Sequence, residues 1–475
     1  MEGLEISEVL LSRIPFENNV LRIDAEYFKK QYLKEDSLRS NFENVYLGED
    51  YFITDGQHGY HEVDEDSEIR HLTARNFKNW FANDDGAERL AKWVDDNNQR
   101  SSLKEDDIVL TTRGSVGYCA IVKQEVLPAN IDQDVARIAI IKGERILPQF
   151  LLTYFNTKFG QDWTTRNQTG MVQQGLALWR VREFPIPRLS FPFQAIIQKV
   201  IEKAHSSKNL SKDCYAKAEN LLLETLGLKY FELSKEPINI KTFTESFGAT
   251  GRLDAEYFQK KYEQVVDRIK SINYDTLSNL VKIKKSIEPG SYAYSDEGLP
   301  FIRVSDFNKF GLSEPNKKLS FSYCSENEEK LLKLKPKKET ILFSKDGSVG
   351  TAYMLRKDED IITSGAILHL TVRNKKQIIP EYLTLALNSK LVKMQAERDA
   401  GGSIILHWRV GEIENVVVPV IDYKIQEKIA ALVEESFNLK KQSEQLLEVA
   451  KTAVEKAIEE DEKKALKYID EKTKI

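Results

Sequence analysis

RIDAEYF, residues 22–28, recurs as RLDAEYF at residues 252–258, with five identical residues in an unbroken run. A match of this length, Asp-Ala-Glu-Tyr-Phe, is very improbable by chance and indicates an internal duplication at an offset of 230 residues. Repeats restrict the architecture of a protein more strongly than any single motif. The chain of 475 residues is about three times the usual size of a domain, so it has room for two copies.

Later blocks repeat in the same order at nearly the same offset. The matched pairs are LKEDDIVLTTRGSVG (103–117) with LKPKKETILFSKDGSVG (334–350), LPQFLLTYFNTK (147–158) with IPEYLTLALNSK (379–390), and Trp-Arg-Val at 179–181 with Trp-Arg-Val at 408–410. After the last block, each copy runs through a proline-bearing strand into a helix. Ordered blocks near one common shift predict two copies of one domain.

Each copy is predicted to consist of a globular part and a helical tail. The globular part has short β-rich runs, such as IVLTT and ILHLTV, between turns rich in Gly, Asn and Asp. The tails, residues 193–226 and 424–470, contain no Gly or Pro and are far longer than ordinary globular helices. The predicted fold class is therefore α+β, with two tandem repeated domains that are each followed by a long helix.

Heptad spacing predicts that the two tails form a coiled coil, because each carries two rows of residues that recur every seven positions. The rows of the second tail are Ile425, Leu432, Leu439, Leu446, Ala453 and Ile429, Ser436, Ser443, Ala450, Ala457, and those of the first are Ile197, Ala204, Ser211, Ala218 and Val200, Ser207, Cys214, Leu221. Many of these residues are small, so we expect the helices to approach closely. Antiparallel packing would close the repeats into a pseudo-two-fold particle, and the alternative is two linker helices that do not meet.

Composition excludes several classes of protein. The chain is 41% hydrophobic and 30% charged, which is typical of a globular protein. It has no run of eighteen apolar residues and no basic, apolar signal at its N-terminus, so we expect a cytoplasmic location. The three cysteines lie about a hundred residues apart and the six histidines show no ligand-pair spacing, so no metal site is predicted.

Charge is distributed unevenly along the chain. The net charge of −5 argues mildly against a nucleic-acid partner, because DNA-binding proteins usually carry a basic surface. Residues 136–190, however, contain eight Lys or Arg against three acidic residues, and residues 330–348 contain six Lys against two. Each copy therefore has a basic segment to which DNA can bind.

No catalytic motif is found. The sequence has no GxxxxGK[ST] phosphate loop, no GxGxxG after a strand, no GxSxG elbow and no Asn-Pro-Pro-Tyr-type box for methylation of adenine. We therefore expect no catalytic activity and assign no catalytic residue. The carboxylates of the two Asp-Ala-Glu-Tyr-Phe boxes are interpreted as helix caps.

The two Gly-Ser-Val-Gly elements, residues 114–117 and 347–350, allow two interpretations. Successive backbone N–H groups around glycine can form an anion nest that binds phosphate. The other interpretation is a tight turn between two strands, which the absence of a following helical pattern favours. The two are compatible if the turn faces a DNA backbone.

The order of these features resembles the specificity subunit of a type I restriction–modification system. The resemblance rests on the duplicated Asp-Ala-Glu-Tyr-Phe boxes and on Gly-Ser-Val-Gly after an Ile-Leu strand, and it covers residues 12 to 465. The basic Ile-Arg-x-x-Asp strand of that family occurs as Ile302-Arg-Val-Ser-Asp306 in the second copy, whereas the first copy departs from it at residues 69–76. The resemblance implies a non-catalytic, sequence-specific DNA reader in which each target-recognition domain reads one half of a bipartite, asymmetric site.

The same resemblance implies partners and a division of the chain. The partners are double-stranded DNA, two methyltransferase (M) subunits and restriction (R) subunits, and S-adenosylmethionine, ATP and Mg are expected on those subunits, with no cofactor on this chain. The division is 1–190 (target-recognition domain 1), 191–235 (central helical spacer), 236–422 (target-recognition domain 2) and 423–475 (C-terminal helical spacer). In the family, the helices act both as a ruler and as a docking surface.

Three other functions are left open by the residues. The chain is alternatively the specificity subunit of a related methyltransferase system, a tandem-domain scaffold that binds protein only, or an enzyme with an unfamiliar site between the repeats. The low net charge favours the scaffold, and the basic segments argue against it.

Candidate DNA contacts are side chains in predicted loops that can read base edges or bind phosphate. In the first copy they are Gln57, His58, Arg75, Asn76, Arg113, Arg166, Asn167, Gln173 and Gln174, and in the second Tyr292, Arg303, Lys345, Ser348, Ser364 and Ser403. No code from residue to base transfers to such loops, so the recognised DNA sequence is not predicted.

Overall fold

The computed structural model describes residues 7–17, 20–140, 146–170, 174–402 and 404–473. Contacts between residues divide the chain into two units. Unit 1 is Met1–Lys208 together with Lys441–Ile475, and unit 2 is Asn209–Lys440. Within the described ranges, every helix is too short or too polar to span a lipid bilayer.

Unit 1 is a mixed α and β structure. Its strands are β1 (Phe16–Glu17), β2 (Val20–Leu21), β3 (Asn44–Tyr46), β4 (Tyr51–Asp55), β5 (Arg70–Leu72), β6 (Glu88–Arg89), β7 (Ile108–Thr111), β8 (Cys119–Ile121), β9 (Ala129–Ile131), β10 (Val135–Ile140) and β11 (Pro185–Pro187). Its shorter helices are α1 (Lys30–Arg39), α2 (Leu47–Asp50), α3 (Lys92–Asn97), α4 (Pro148–Asn156), α5 (Lys158–Arg166) and α6 (Leu178–Arg182).

The central sheet of unit 1 has the order β4-β10-β7-β8, and all its neighbours are antiparallel. Asp55 pairs with Ala136, and Thr111 pairs with Val135. The ends of β4 and β7 and the start of β10 therefore lie at one edge of the sheet, which we call the loop edge of unit 1. A smaller sheet, β6-β5-β9, contains the parallel pair β5–β9.

Helices α4 and α5 cover the central sheet with apolar side chains. Residues Phe150, Phe155 and Phe159 are fully buried in one core with the strands. Pro148 occupies the first turn of α4, where its missing N–H costs nothing because no intrahelical acceptor is available there. The start of this helix is also held by Gln194, whose Oε1 accepts from the Leu147 N–H at 2.9 Å.

Unit 2 repeats this arrangement. Its strands are β12 (Tyr274–Thr276), β13 (Val281–Lys285), β14 (Tyr294–Ser295), β15 (Leu299–Ile302), β16 (Phe307–Asn308), β17 (Gly311–Leu312), β18 (Lys318–Leu319), β19 (Ile341–Ser344), β20 (Ala352–Met354), β21 (Ile362–Thr363), β22 (Ile367–Val372) and β23 (Val417–Pro419). Its shorter helices are α8 (Lys260–Lys270), α9 (Leu277–Leu280), α10 (Phe321–Glu326), α11 (Glu328–Leu334), α12 (Pro380–Asn388), α13 (Lys390–Asp399) and α14 (Val410–Glu414).

The duplication predicted from the sequence is confirmed by strand order. The central sheet of unit 2 is β13-β22-β19-β20, again antiparallel throughout, and corresponds strand by strand to β4-β10-β7-β8. Gln426 accepts from the Ile379 N–H at 3.0 Å, as Gln194 does from Leu147. The ends of β13 and β19 and the start of β22 form the loop edge of unit 2.

One matched block is out of register in three dimensions. The N–H of Trp408 donates to the Lys345 carbonyl at 2.8 Å, and the equivalent bond in unit 1 runs from Leu176 to Thr112. Trp408 therefore corresponds to Leu176, and both are buried, whereas Trp179 lies inside α6 and is exposed. The Trp-Arg-Val identity reflects a local coincidence of residues, and the backbone pairing determines the true alignment.

Two long helices carry the predicted seam. Helix α7 (Phe191–Thr225) and helix α15 (Tyr423–Glu459) each contribute one part to unit 1 and one part to unit 2. The second tail was expected to be continuous to residue 470, but α15 ends at Glu459 and α16 (Glu462–Thr473) follows. The Asp461 carboxylate accepts from the Lys464 N–H at 2.9 Å, so it caps the new helix and explains the break.

Contacts inside each unit confirm that the tails pack together. In unit 1, Ser207 contacts Gln442, and Ser443 donates to the Ala204 carbonyl, so the helices run antiparallel. In unit 2, Ser211 and Ser436 bond to each other. The predicted row Ile429, Ser436, Ser443, Ala450 and Ala457 is buried throughout. The α+β fold class with two repeats and antiparallel helices is therefore confirmed, while the division of the chain into four segments stays a prediction.

Candidate nucleic-acid interface

The loop edge of unit 1 brings together residues that are distant in sequence. Gln57 follows β4 and pairs with Asp132, which precedes β10, while Arg113 follows β7 and pairs with Gly175. This convergence follows from the sheet order, because antiparallel neighbours place the end of one strand beside the start of the next. Four predicted contacts, Gln57, His58, Arg113 and Gln174, lie in segments that meet or adjoin this edge.

The side chains at this edge differ in how free they are to bind. His58 is exposed, and its Nε2 lies 2.9 Å from the Asp55 carboxylate. Arg113 is 48% exposed, and its nearest carboxylate oxygen, on Asp134, is 3.7 Å away. That separation exceeds a normal hydrogen bond, so the guanidinium of Arg113 retains its donors for another acceptor.

The Gly-Ser-Val-Gly element is a tight turn in both units. It joins β7 to β8 in unit 1, where Thr111 Oγ1 donates to the Ser115 carbonyl and accepts from the Tyr118 N–H at 3.0 Å. Gly114 and Gly347 both have a φ of +68°, which a residue with a side chain rarely adopts. The turn interpretation is confirmed, and no helix follows either element to support a conventional phosphate loop.

Three predicted contacts of unit 1 are buried. Asn76 has no exposed surface, and its amide bonds to the Thr73 N–H and the Asp85 carbonyl. Asn167 is 2% exposed and donates to the Trp163 carbonyl at 2.8 Å. Both amides support the fold and are not accessible to a base edge.

Arg166 is the third of these buried residues. Its guanidinium lies 4.0 Å from the centre of the Tyr27 ring and donates to Asp36 at 2.7 Å. In unit 2, Arg398 lies over the corresponding ring of Tyr257 at 5.1 Å. Because both units repeat the contact, Arg166 is a structural residue that anchors the Asp-Ala-Glu-Tyr-Phe box, and we remove it from the contact set.

The carboxylates of those boxes act as the sequence predicts. Asp24 Oδ1 accepts from the Tyr27 N–H at 3.0 Å and so caps a 3₁₀ turn, Ala25–Phe28. In unit 2, the hydrogen bond from Arg252 holds the pKa of Asp254 below its usual value. The boxes are capping elements, and catalysis is not needed to explain them.

The loop edge of unit 2 carries a different set of side chains. Lys345 follows β19 and pairs with Asp346, and Ser348 is exposed within the turn. Ser364 precedes β22 but is buried, with its N–H bonded to the Ile302 carbonyl at 2.8 Å. Lys345 is therefore partly exposed and Ser348 is exposed at this edge, whereas Ser364 is enclosed.

The remaining predicted residues lie away from these turns. Arg75 is exposed and donates to the Gly86 carbonyl. Tyr292 is 78% exposed and packs edge-on against Tyr323, and the half-exposed Arg303 lies 3.5 Å from Asp306. Gln173 and Ser403 lie outside the described residues.

Sequence reasoning missed several residues of both edges. Arg100 Nη2 lies 3.4 Å from Asp55 in unit 1, and His407 Nδ1 lies 2.9 Å from Asp346 in unit 2. Ile404 is 95% exposed, and the neighbouring Ile405 and Leu406 are also exposed. No motif marked these positions, because pairing with distant strands brings them to the edge.

One acidic group at the unit 1 edge has a strongly altered protonation. Burial raises the pKa of Asp132 to about 6, and the neighbouring Asp134 carboxylate adds to the rise. The Asp134 N–H donates to the Asp132 carboxylate at 3.1 Å, and this hydrogen bond acts in the opposite direction by lowering the pKa of Asp132. At neutral pH this edge therefore holds a partly desolvated carboxylate on Asp132.

Comparison with known proteins gives a family for the second half of the chain. Residues 272–449 match the family model described as the type I restriction modification DNA specificity domain. The specificity subunit of the type I restriction enzyme EcoBI from Escherichia coli is 26% identical over 143 residues. This match spans 29% of this chain and 30% of the length of that relative.

Solved structures similar to this chain carry related descriptions. The S subunit of a type I restriction–modification system from M. genitalium is 13% identical, with a TM-score of 0.41 over 88% of this chain and 95% of the other. The HsdS subunit from Thermoanaerobacter tengcongensis is 15% identical, with a TM-score of 0.27 over 88% of this chain and 97% of the other.

Proposed function

Because residues 272–449 belong to the type I restriction modification DNA specificity domain family, we propose that the chain is the DNA-reading specificity subunit of a type I restriction–modification complex. Each unit reads one half of a bipartite, asymmetric site in double-stranded DNA. The first half of the chain lies outside the matched range, and its inclusion rests on the common sheet order of the two units.

The proposal rests mainly on one observation: the two units share a backbone scaffold but carry different side chains at their loop edges. The turn after β7 in unit 1 and the turn after β19 in unit 2 have the same backbone, with Thr111 or Ser344 holding them in the same way. The side chains that precede the first glycine differ, with Arg113 in unit 1 and Asp346 in unit 2. A repeated frame with variable loops is suited to reading two different sequences, because base edges are distinguished by side chains and phosphates by charge.

The proposed chemistry of this chain is recognition alone. Two methyltransferase subunits and restriction subunits dock on it in the cytoplasm and bring S-adenosylmethionine, ATP and Mg. The sequence contains no catalytic motif, which supports this division of labour. Purified chain with DNA and S-adenosylmethionine should therefore transfer no methyl group until methyltransferase subunits are added.

A protein-binding scaffold is the second candidate, and one observation favours it. Ile404, Ile405 and Leu406 form an exposed apolar segment next to the turn of unit 2. Exposed apolar residues of this kind mark protein-binding surfaces. A salt titration separates the two functions, since binding to DNA weakens steeply as salt rises through release of counterions.

Exchange of the first recognition segment tests the proposal directly. Residues 29–190 are replaced by the equivalent segment of a related protein, and the methylated motif is read by sequencing genomic DNA from cells that carry the whole complex. We expect one half of the motif to change and the other to stay. A matched exchange within unit 2 should change only the other half, and a change of both halves in either variant would contradict the modular assignment.

A further inference from the structure

Three potential metal ligands from separate parts of the sequence meet in unit 1. His61 lies in the segment after β4, His71 on β5 and Glu88 on β6. One ligand atom from each residue lies within 4.8 Å of the ligand atoms of the other two. Among the described residues this is the one cluster of three such side chains, and we propose that it binds a single divalent transition-metal ion of the zinc class.

The distances suit such an ion. His61 Nε2 lies 3.2 Å from Glu88 Oε2, and the ring centroids of His61 and His71 are 4.0 Å apart. Ligands of tetrahedral zinc bond at about 2.0–2.2 Å and so lie roughly 3.3 Å from one another. The first pair already has this spacing, and the third ligand atom, within 4.8 Å of both, needs only a side-chain rotation to reach it.

His71 is the most enclosed of the three residues. It is 6% exposed, and the centroid of its ring lies 4.0 Å from that of the His61 ring. A ligand atom of His71 lies within 4.8 Å of ligand atoms of both His61 and Glu88. A bound ion would give this buried imidazole a polar partner, which buried polar groups generally have.

Unit 2 shows that the fold does not require histidine at this position. Two residues before the cap of the following 3₁₀ turn, unit 1 has His71 before Thr73 and unit 2 has Phe301 before Arg303. Phe301 is buried against the ring of Tyr294 at 5.5 Å. An apolar ring fills the position in one repeat, so packing alone does not require an imidazole in the other.

The donor types select the class of metal. Two imidazoles and one carboxylate suit zinc and its neighbours, whereas calcium and magnesium prefer oxygen ligands alone. A neutral imidazole nitrogen supplies the lone pair that binds such an ion. Three protein ligands leave a fourth position for water.

The ion would link the segment that follows β4 to the smaller sheet, β6-β5-β9. The backbone carbonyl of Glu62, next to His61, accepts from the Ala91 N–H at 3.0 Å, and Val63 forms a β-bridge with Leu90. The segment that contains Gln57 and His58 therefore runs directly into the site. Bound metal fixes this segment on β5 and β6 and so orders one side of the loop edge of unit 1.

Metal binding by the untagged full-length chain tests the proposal. The protein is stripped with a chelator and titrated with Zn²⁺ against a chromophoric competitor, and we expect about one equivalent bound per chain and a higher melting temperature. Titration with Co²⁺ should give the visible absorption of a low-symmetry, four-coordinate site. Glu88→Gln and His61→Ala should each weaken the affinity at least about tenfold, in line with the loss of a ligand.

Two variants keep the test decisive. His58→Ala removes an exposed histidine three residues from the site and should leave the affinity unchanged. His71→Phe copies unit 2, so it should fold and lose the ion. The proposal is overturned if the unmodified chain binds no stoichiometric Zn²⁺, or if His71→Phe binds it with unchanged affinity. Should His61→Ala fail to fold, the exposed Glu88→Gln variant gives the same answer.

Discussion

Arg113 and Arg166 of unit 1 differ strongly in exposure. The Arg113 side chain is 48% exposed at the loop edge, with its nearest carboxylate 3.7 Å away. The Arg166 side chain is 7% exposed, and its guanidinium stacks on the Tyr27 ring and pairs with the Asp36 carboxylate. An exposed guanidinium with free donors can bind a phosphate, whereas the buried one contributes to stability.

Replacing Arg113 by Ala should weaken DNA binding and leave folding unchanged. Loss of one phosphate contact should lower the affinity roughly fivefold and reduce the slope of log K against log salt by about one. Fluorescence anisotropy of a labelled duplex at several salt concentrations measures both. Arg188→Ala is the matched control, because Arg188 is 46% exposed and pairs with Glu43 near the start of α7. Equal losses in the two variants would show that the loop edge is not the DNA-binding surface.

Asp132 should make the stability of unit 1 depend on pH. Burial raises the pKa of its carboxyl to about 6, above the ordinary value near 4, so the folded chain binds this proton more tightly than the unfolded chain. Stability contributed by the protonated form is present at low pH and is lost as pH rises through about 6. Asp132→Asn should therefore raise the free energy of unfolding at pH 7.5 by about 1 kcal/mol.

The advantage of Asp132→Asn should shrink below pH 6 and vanish near pH 4. Urea unfolding of both proteins in chelator-containing buffer, at pH 7.5, 5.5 and 4.5, measures it. The chelator keeps metal from the nearby His61. An advantage of the same size at every pH would mean that the carboxyl is not titrating in this range.

The seam between α7 and α15 is built from small side chains. Ser211 Oγ donates to the Ser436 carbonyl at 2.7 Å, and Ser436 Oγ donates to the Ser211 carbonyl at 2.7 Å. Ser443 does the same to the Ala204 carbonyl. Hydroxyls that reach a backbone on the facing helix require close approach, so the seam has little room for larger residues.

Replacing Ser436 by Leu should destabilise the chain by about 1–3 kcal/mol, because the larger side chain overpacks the seam. Ser436→Ala keeps the packing and loses one donor, so its cost should stay within about 1 kcal/mol. Denaturant unfolding of the two variants compares them. If Leu were tolerated as well as Ala, the helices would not be held in close contact at this point.

The long helices bear on the spacing between the two proposed half-sites. Helix α7 has 35 residues and is therefore about 52 Å long. An insertion of four residues after Lys212, with four more after Glu434 on the facing helix, adds about one helical turn and keeps the apolar seam approximately in phase. The methylated motif should keep both halves and gain about one or two base pairs between them.

Two-residue insertions at the same places are the control for that experiment. They rotate the distal parts of both helices away from the seam, so they should impair folding or assembly. Circular dichroism and sequencing of methylated DNA report the two effects. A constant spacing in a well-folded four-residue variant would show that the helices do not determine the distance.

Local patterns made the architecture predictable. The duplication, the α+β class, the helix starts near 191 and 423 and the buried heptad rows all follow from neighbouring residues or from a fixed period. Capping by Asp24 was predictable for the same reason, since donor and acceptor lie three residues apart. Such features depend on few long-range contacts, so they are recorded directly in the order of residues.

Burial and juxtaposition depend on how distant strands pair, and these were not predictable. From the sequence, Asn76 and Arg113 were both predicted to be loop residues, yet Asn76 is buried and Arg113 is exposed. The spacing of His61, His71 and Glu88 matches no ligand motif, and they meet because β5 pairs with β6 and the segment after β4 turns back on them. Strand register, which is set by packing across the whole unit, determines which side chains share a surface.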